Sequence, residues 1–123
     1  VGQIATAQVV MNRVEDNRFP NTICEVVKQG PTRPSWEDPK KEYPIKHRCQ
    51  FSWYCDGKDD TPKNEKAWKK AQDVAFLVLY DKIKLDVTEG ATHYHATYVR
   101  PSWARTKKRT TRIEKHIFYR WEK

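Results

Sequence analysis

Residues 2–14 read GQIATAQVVMNRV, and this stretch decides the fold class of the chain. Its apolar side chains recur three or four positions apart, as along one face of an α-helix: Ile4, Ala7, Met11 and Val14, with Val10 beside them. The other face is polar and carries Gln3, Thr6, Asn12 and Arg13. We therefore predict an amphipathic helix whose apolar stripe packs on the core. No capping residue precedes Gly2, so we expect the natural helix to begin upstream of Val1.

A short helix and a long loop are predicted next. Asn21 or Thr22 can cap a short helix that carries Ile23, Val26 and Val27, because their side chains accept hydrogen bonds from free backbone N–H groups. Gly30 ends this helix. Residues 30–48 contain four prolines among charged residues, which predicts an irregular Pro-rich loop.

The second half of the chain combines a long helix with two strands. Thr61 can cap the helix, Pro62 suits its first position, and helical spacing continues to about Lys82. We expect this helix to be central in the core. Residues 92–99 and 113–121 have strand composition, and we expect them to pair as an antiparallel ribbon, with a basic connection between them. The 123 residues thus predict one α+β domain, mainly α, with a small antiparallel β ribbon.

Positive charge is concentrated near the carboxyl terminus. The net charge is +8, and residues 100–123 contain nine Lys or Arg but only two Glu. Such a face binds nucleic acid, an anionic membrane surface or an acidic wall polymer, or it only keeps the protein soluble. Aromatic residues that stack on bases or sugars are interleaved with this charge: Trp103, Phe118, Tyr119 and Trp121. No apolar run approaches the roughly 20 residues that span a membrane.

Cysteine and histidine residues raise the possibility of a disulfide or a metal site. Cys49 and Cys55 flank an aromatic segment and can close a small loop in an oxidising compartment, while Cys24 makes the count odd. Their spacing does not fit zinc. His93 and His95 would share one face of a strand, but no further ligand motif accompanies them. We therefore expect no metal and no cofactor.

Five segments, taken in chain order, are similar to those of one known family. They are GQIA with VMNRV (residues 2–5 and 10–14), FPNTICEVV (19–27), QFS with DG (50–52 and 56–57), GATHYHA with VRPSW (90–96 and 99–103) and IEKHIFYR (113–120). They are spread over nearly the whole chain, from Gly2 to Arg120. They resemble the SleB/CwlJ cell-wall hydrolases, which are spore-cortex-lytic enzymes and their proteobacterial and phage relatives.

The resemblance implies a lysozyme-like, lytic-transglycosylase-like fold, with helices around a cleft and a β element on one side. It also implies cleavage of the peptidoglycan glycan strand between N-acetylmuramic acid and N-acetylglucosamine. In the lytic route one carboxylic acid protonates the leaving oxygen, and the 6-hydroxyl of the substrate then closes an anhydro ring. A second carboxylate is not required, unlike in the usual two-carboxylate glycosidases.

The catalytic Glu of the resembled family precedes the GQ(I/V)A stretch. That position lies before Val1, so we expect the parent protein to carry this Glu upstream and the present chain to lack the start of the domain. No residue of the chain is assigned the catalytic role. Glu114 stands where the family usually has Gly, and we expect no positive-φ turn there, because Gly adopts such angles without strain.

The resemblance further implies a substrate cleft. We expect six residues to bound it, namely Gln50, Ser52, Asp56, Tyr94, His95 and Tyr119, and three to bind substrate, namely Trp53, Trp103 and Arg100. Local roles are the alternative: Gln50 and Asp56 as turn caps, and Tyr119 as a core residue.

Peptidoglycan is the expected partner, bound by a monomer without a membrane span and without nucleic acid. We expect either export to the periplasm or cell wall, or a phage-encoded endolysin that acts on the host wall. A non-catalytic peptidoglycan-binding module is the first alternative. A basic nucleic-acid-binding domain is the second, and its binding would weaken steeply with salt.

Overall fold

The computed structural model describes residues 2–30, 32–34, 42–44, 49, 51–57, 63–80 and 85–122. Within these ranges it has three α-helices: α1 (Gly2–Glu15), α2 (Ile23–Val27) and α3 (Glu65–Leu79). It has five strands: β1 (Thr32–Pro34), β2 (Glu42–Pro44), β3 (His93–Ala96), β4 (Lys108–Ile113) and β5 (His116–Arg120). Two 3-10 helices, Ser52–Cys55 and Ser102–Thr106, complete the described elements.

Helix α1 forms where the apolar spacing predicts it, but its core-facing side is rotated. The buried positions are Ala5, Gln8, Val9, Val10 and Arg13, whereas the predicted stripe is only partly buried outside Val10. The prediction that Arg13 lies on a polar outer face is wrong. Its side chain is 3% exposed, because its polar atoms bond to neighbouring segments rather than to water. Helix α1 is therefore the central helix of the fold.

Helix α3 differs from its prediction in bounds and in burial. Asn64 caps it, since its Oδ1 accepts a hydrogen bond from the Ala67 N–H at 3.0 Å, so the cap predicted at Thr61 is wrong. The helix ends at Leu79, before Lys82. None of its residues is buried, and Trp68 is 48% exposed. The prediction that α3 is central in the core is therefore wrong. Apolar spacing shows that a helix has an apolar side, but it does not show how much of that side other elements cover.

The predictions for α2 and for the segment after it are confirmed in part. Thr22, one of the two predicted caps, accepts a hydrogen bond at Oγ1 from the Glu25 N–H at 3.3 Å. Strands β1 and β2 pair antiparallel within residues 30–48. The prediction of an irregular loop is therefore wrong for these paired residues. Proline does not prevent pairing in a short strand at the edge of a sheet. The rest of that loop lies outside the described residues.

A three-stranded antiparallel sheet stands beside the helices in the order β3-β5-β4. Strands β3 and β5 confirm the predicted ribbon, with His95 opposite Ile117. The prediction that residues 100–115 only connect the two strands is wrong, because this segment contains a 3-10 helix and strand β4. The Lys and Arg side chains of β4 point largely to solvent, and charged side chains are common on edge strands, where they discourage pairing with another chain.

The turn between β4 and β5 contradicts the expectation for Glu114. Ile113 pairs with His116, which leaves Glu114 and Lys115 as a two-residue turn. Tight antiparallel turns of this length require positive φ because of the strand twist, and Glu114 has φ 53°. The register of β4 with β5 therefore gives Glu114 a positive φ, although Glu adopts this angle less readily than Gly.

The core lies between α1, α2 and the sheet. Its largest fully buried side chains are Phe51, Phe118, Val9, Val26 and Thr88. Cys49 and Cys55 form a disulfide with Cα atoms 6.2 Å apart, as their positions allow, and Cys24 is an exposed free thiol. This disulfide closes the loop that inserts Phe51 into the core while Trp53 stays 41% exposed.

Polar side chains of α1 fix the segment that enters β3. Gln8 donates to the Leu85 carbonyl and accepts from the Val87 N–H, each at 3.0 Å. Asn12 Nδ2 donates to Asp86 at 2.9 Å. Burial by itself raises the pKa of Asp86, but hydrogen bonds from Thr88, Asn12 and Gly90 outweigh it and hold that pKa below its usual value. The charged carboxylate thus ties the loop to the helix.

Candidate active site

An open groove of about 1010 Å³ lies between α1, the loop closed by the Cys49–Cys55 disulfide, and β3. Thr6 of α1 stands at one side and Trp53 of the first 3-10 helix beside it. Tyr94 and His95 of β3, with Trp103 of the second 3-10 helix, line another wall. The described lining thus comes from four parts of the chain: α1, the Cys49–Cys55 loop, residues 93–103 and His116 of β5.

The nine predicted site residues are distributed unequally around this groove. Four line it, namely Trp53, Tyr94, His95 and Trp103. Tyr119 lies behind it in contact with His95, and Arg100 lines a neighbouring cavity. Asp56 ends the first 3-10 helix and does not line the groove. Gln50 lies outside the described residues, and of Ser52 only the backbone is described.

Strand β3 sends its side chains to two different surroundings, as the two-residue period of a strand predicts. Tyr94 packs on Phe51 and Phe118, with ring centroids 6.0 and 5.7 Å away. Burial raises its pKa to about 12, so its hydroxyl is protonated at neutral pH. His93 and His95 turn the other way, and both contact Trp103.

His95, Tyr119 and Trp103 form a connected aromatic cluster at the groove wall. The His95 and Tyr119 rings stack at 5.2 Å, and Trp103 meets Tyr119 edge-on at 5.4 Å. His95 Nδ1 lies 2.7 Å from the Ala96 carbonyl oxygen, which only accepts, so Nδ1 carries the proton. In its neutral form the ring then accepts at Nε2 from the Tyr119 hydroxyl, 2.9 Å away. These bonds fix the orientation of the wall on which Trp103 rests.

Arg13 is a buried residue of the groove that the site prediction missed. Its Nε donates to the Thr92 carbonyl at 2.6 Å, and its guanidinium lies 4.6 Å from the Phe19 ring centroid. Burial lowers its pKa to about 10, so it remains charged at neutral pH. It joins α1 to the start of β3 beneath the groove. The NRV part of the first motif was the available signal, but an arginine in a helix is more often on a surface.

His93 is surrounded by rings and cations. Its ring is 5.1 Å from that of Trp103 and 5.9 Å from that of Phe19. Burial, together with the nearby positive charges of Arg13, Lys107 and Arg18, lowers its pKa to about 3. The His93 imidazole is therefore neutral in the folded protein at neutral pH.

We expect this neutral imidazole to make stability depend on pH. The unfolded chain protonates His93 below about pH 6.5 and the folded protein does not, so its contribution is complete above pH 6.5 and falls as the pH drops toward 3. His93→Gln should reduce the loss of unfolding free energy between pH 6.5 and 5 by about 1 kcal/mol, since the residue is partly exposed. Urea unfolding at the two pH values measures this. Trp121→Phe, which alters a neighbouring ring without removing a titrating group, should keep the wild-type loss, and equal losses in wild type and His93→Gln would contradict the assignment.

The described lining of the groove has no carboxylate side chain. Among the same described parts of the chain, no group of three or more His, Cys, Asp or Glu is arranged to hold a metal ion. No described helix is both long and apolar enough to cross a membrane.

Helices around an open groove, with a small antiparallel sheet on one side, define a lysozyme-like domain. Residues 1–119 match the family described as Cell Wall Hydrolase, and the chain belongs to this family. A search of curated proteins finds no match.

Two solved structures resemble the domain over 97% of its length. One is the catalytic domain of the germination-specific lytic transglycosylase SleB from Bacillus anthracis, with 26% identity, a TM-score of 0.65 and 78% of that chain covered. The other is the catalytic domain of the Bacillus cereus SleB protein, with 26% identity, a TM-score of 0.59 and 74% of that chain covered. The resemblance to SleB-type cell-wall hydrolases and the lysozyme-like fold class expected from the sequence are thereby confirmed.

Proposed function

We propose that this domain cleaves the glycan strand of peptidoglycan between N-acetylmuramic acid and N-acetylglucosamine, as a lytic transglycosylase. The observation that carries the proposal is the similarity over 97% of the chain to the catalytic domain of a lytic transglycosylase. Membership of the cell-wall hydrolase family supports the same substrate. The groove supports it as well, because it is open to solvent and therefore accessible to a polymeric substrate.

Aromatic side chains give this groove the chemistry of a sugar site. Trp53 lines the groove and is 41% exposed. Trp103 lines the same groove and packs against His95 and Tyr119. Flat rings stack on the apolar faces of pyranose rings, and rings held by packing lose little conformational entropy on binding. We assign Trp53 and Trp103 to the binding of successive sugars, and the His95–Tyr119 pair to holding the Trp103 wall.

A Glu upstream of Val1 would supply the catalytic acid in this proposal. Thr6 lines the groove about one turn into α1, so a residue just ahead of the GQIA stretch would stand near the same end. Apolar and aromatic surroundings raise the pKa of a carboxyl group, which keeps it protonated for donation to the glycosidic oxygen. The 6-hydroxyl of the substrate then attacks the sugar carbon and returns a proton to the carboxylate.

A wall substrate also gives the place of action. Peptidoglycan lies outside the cytoplasmic membrane, and the Cys49–Cys55 disulfide is typical of proteins that work in oxidising surroundings. We propose that the domain acts on the wall, either as an exported bacterial protein or as a phage endolysin.

Digestion of purified peptidoglycan, followed by mass spectrometry of the released muropeptides, tests the proposal. One sample is this chain, and the other carries about 20 further residues of the natural upstream sequence, roughly the length of a capped helical segment. We expect only the extended protein to release anhydro-muropeptides, and Glu→Gln at the upstream position to abolish the release. Hydrolysed rather than anhydro ends would overturn the transglycosylase assignment.

A peptidoglycan-binding module is the second candidate, favoured by the absence of a carboxylate among the described groove-lining residues. It predicts that both proteins sediment with insoluble peptidoglycan and that neither releases fragments. That outcome would replace the enzymatic proposal.

A further inference from the structure

A second cavity of about 630 Å³ opens beside the groove, behind the loop that joins β3 to the second 3-10 helix. His95, Val99 and Pro101 line both spaces. The cavity therefore adjoins the groove along these residues. A ligand bound along the groove would have side groups within reach of it.

Three arginines line this cavity, namely Arg100, Arg105 and Arg109. All three are exposed. Within the part of the chain that the structure describes, their guanidinium groups have neither a hydrogen bond nor an ion pair. Other arginines nearby are engaged: Arg120 pairs with Glu122 at 2.8 Å, and Arg112 donates to the Glu114 carbonyl at 3.1 Å.

The described lining of the cavity includes no Asp or Glu. Three positive charges thus converge on one concave space without an internal counter-charge, which raises the local concentration of anions. The guanidinium group is planar and presents paired N–H donors that match both oxygens of a carboxylate. The cavity therefore has the chemistry of a carboxylate site.

We propose that the arginine cavity binds the carboxylates of the peptide stems that branch from the glycan. This inference rests on the proposed function, which places the glycan in the groove. Stems branch from every second sugar of the strand, so a strand in the groove brings acidic peptide to its flank. Nucleic acid fits less well, because an extended phosphate backbone calls for a continuous basic stripe, whereas these arginines line one concave cavity beside the groove.

Binding of the full-length protein to two wall preparations tests the proposal. One preparation is peptidoglycan with its stems. The other is glycan from which an amidase has removed the stems and on which the lactyl carboxylates exposed by that cleavage have been converted to amides. Wall phosphate polymers are stripped from both. R100Q/R105Q/R109Q should lose about tenfold in affinity for the stem-bearing wall, the sum expected for three exposed charge pairs. Its affinity for the bare glycan should change less than about twofold.

A matched control separates the cavity from net charge. K63Q/K66Q/K70Q removes three exposed charges beside or on α3 and should bind both preparations like the wild type. An equal loss of the arginine variant on both preparations, an equal loss of the control, or no loss at all would overturn the proposal. Preferential binding of a single-stranded oligonucleotide, lost in the arginine variant, would also overturn it in favour of nucleic acid. Muropeptide release is scored separately, so that failure of cleavage with a retained stem preference would contradict only the proposed function.

Discussion

Arg13→Met is expected to lower the free energy of unfolding by about 3 kcal/mol, a large part of the stability of a domain of this size. The substitution removes the donor to the buried Thr92 carbonyl, and an unsatisfied buried acceptor costs about 1–3 kcal/mol. It also removes the bond from Nη1 to Gln29, 3.2 Å long, and the contact of the cation with the Phe19 and Phe51 rings. Loss of such cation–π contacts adds about 1 kcal/mol.

Urea unfolding at pH 7 measures this effect against two comparison variants. Arg13→Lys keeps the charge but not the forked geometry, so it should fall between wild type and Arg13→Met. Arg112→Met changes an exposed arginine of β4 and should cost less than about 0.5 kcal/mol. A loss below about 1 kcal/mol in Arg13→Met would show that neighbouring groups or water replace the buried donor.

Trp103→Ala is expected to lower kcat/KM on peptidoglycan about 30-fold, the effect of removing a tryptophan that contributes about 2 kcal/mol to binding. The ring forms one wall of the groove and is held between His93, His95 and Tyr119. Its removal takes away the stacking surface that these three rings hold in place. Because a remote sugar contact persists in the transition state, we expect the loss mainly in KM.

Muropeptide release by the upstream-extended protein gives the comparison. Trp68→Ala is the matched control, since Trp68 lies on α3, is 48% exposed and does not line the groove. It should retain activity within about twofold, the range usual for a surface change away from the site. Melting curves of both variants, together with activity measured well below their transitions, exclude unfolding as the cause. Equal activities of the two variants would remove Trp103 from the substrate site.

Much of the local structure could be predicted because it depends on neighbours in sequence. Helix α1 follows from the recurrence of apolar residues, and the cap at Thr22 from its hydroxyl acceptor. The strand character of β3 and β5 follows from their composition. The five motifs, in their order along the chain, also identified the family, because family membership is recognised from sequence.

Burial and the assembly of the site were decided by the tertiary structure. Arg13 is a polar residue in a helical pattern, and only the position of the Thr92 carbonyl makes it a buried link. Glu114 takes a positive φ because the pairing of β4 with β5 leaves two residues for the turn. The arginine cavity likewise combines a loop, a 3-10 helix and a strand. Sequence spacing encodes the period of an element, whereas exposure and convergence depend on contacts between residues far apart in the chain.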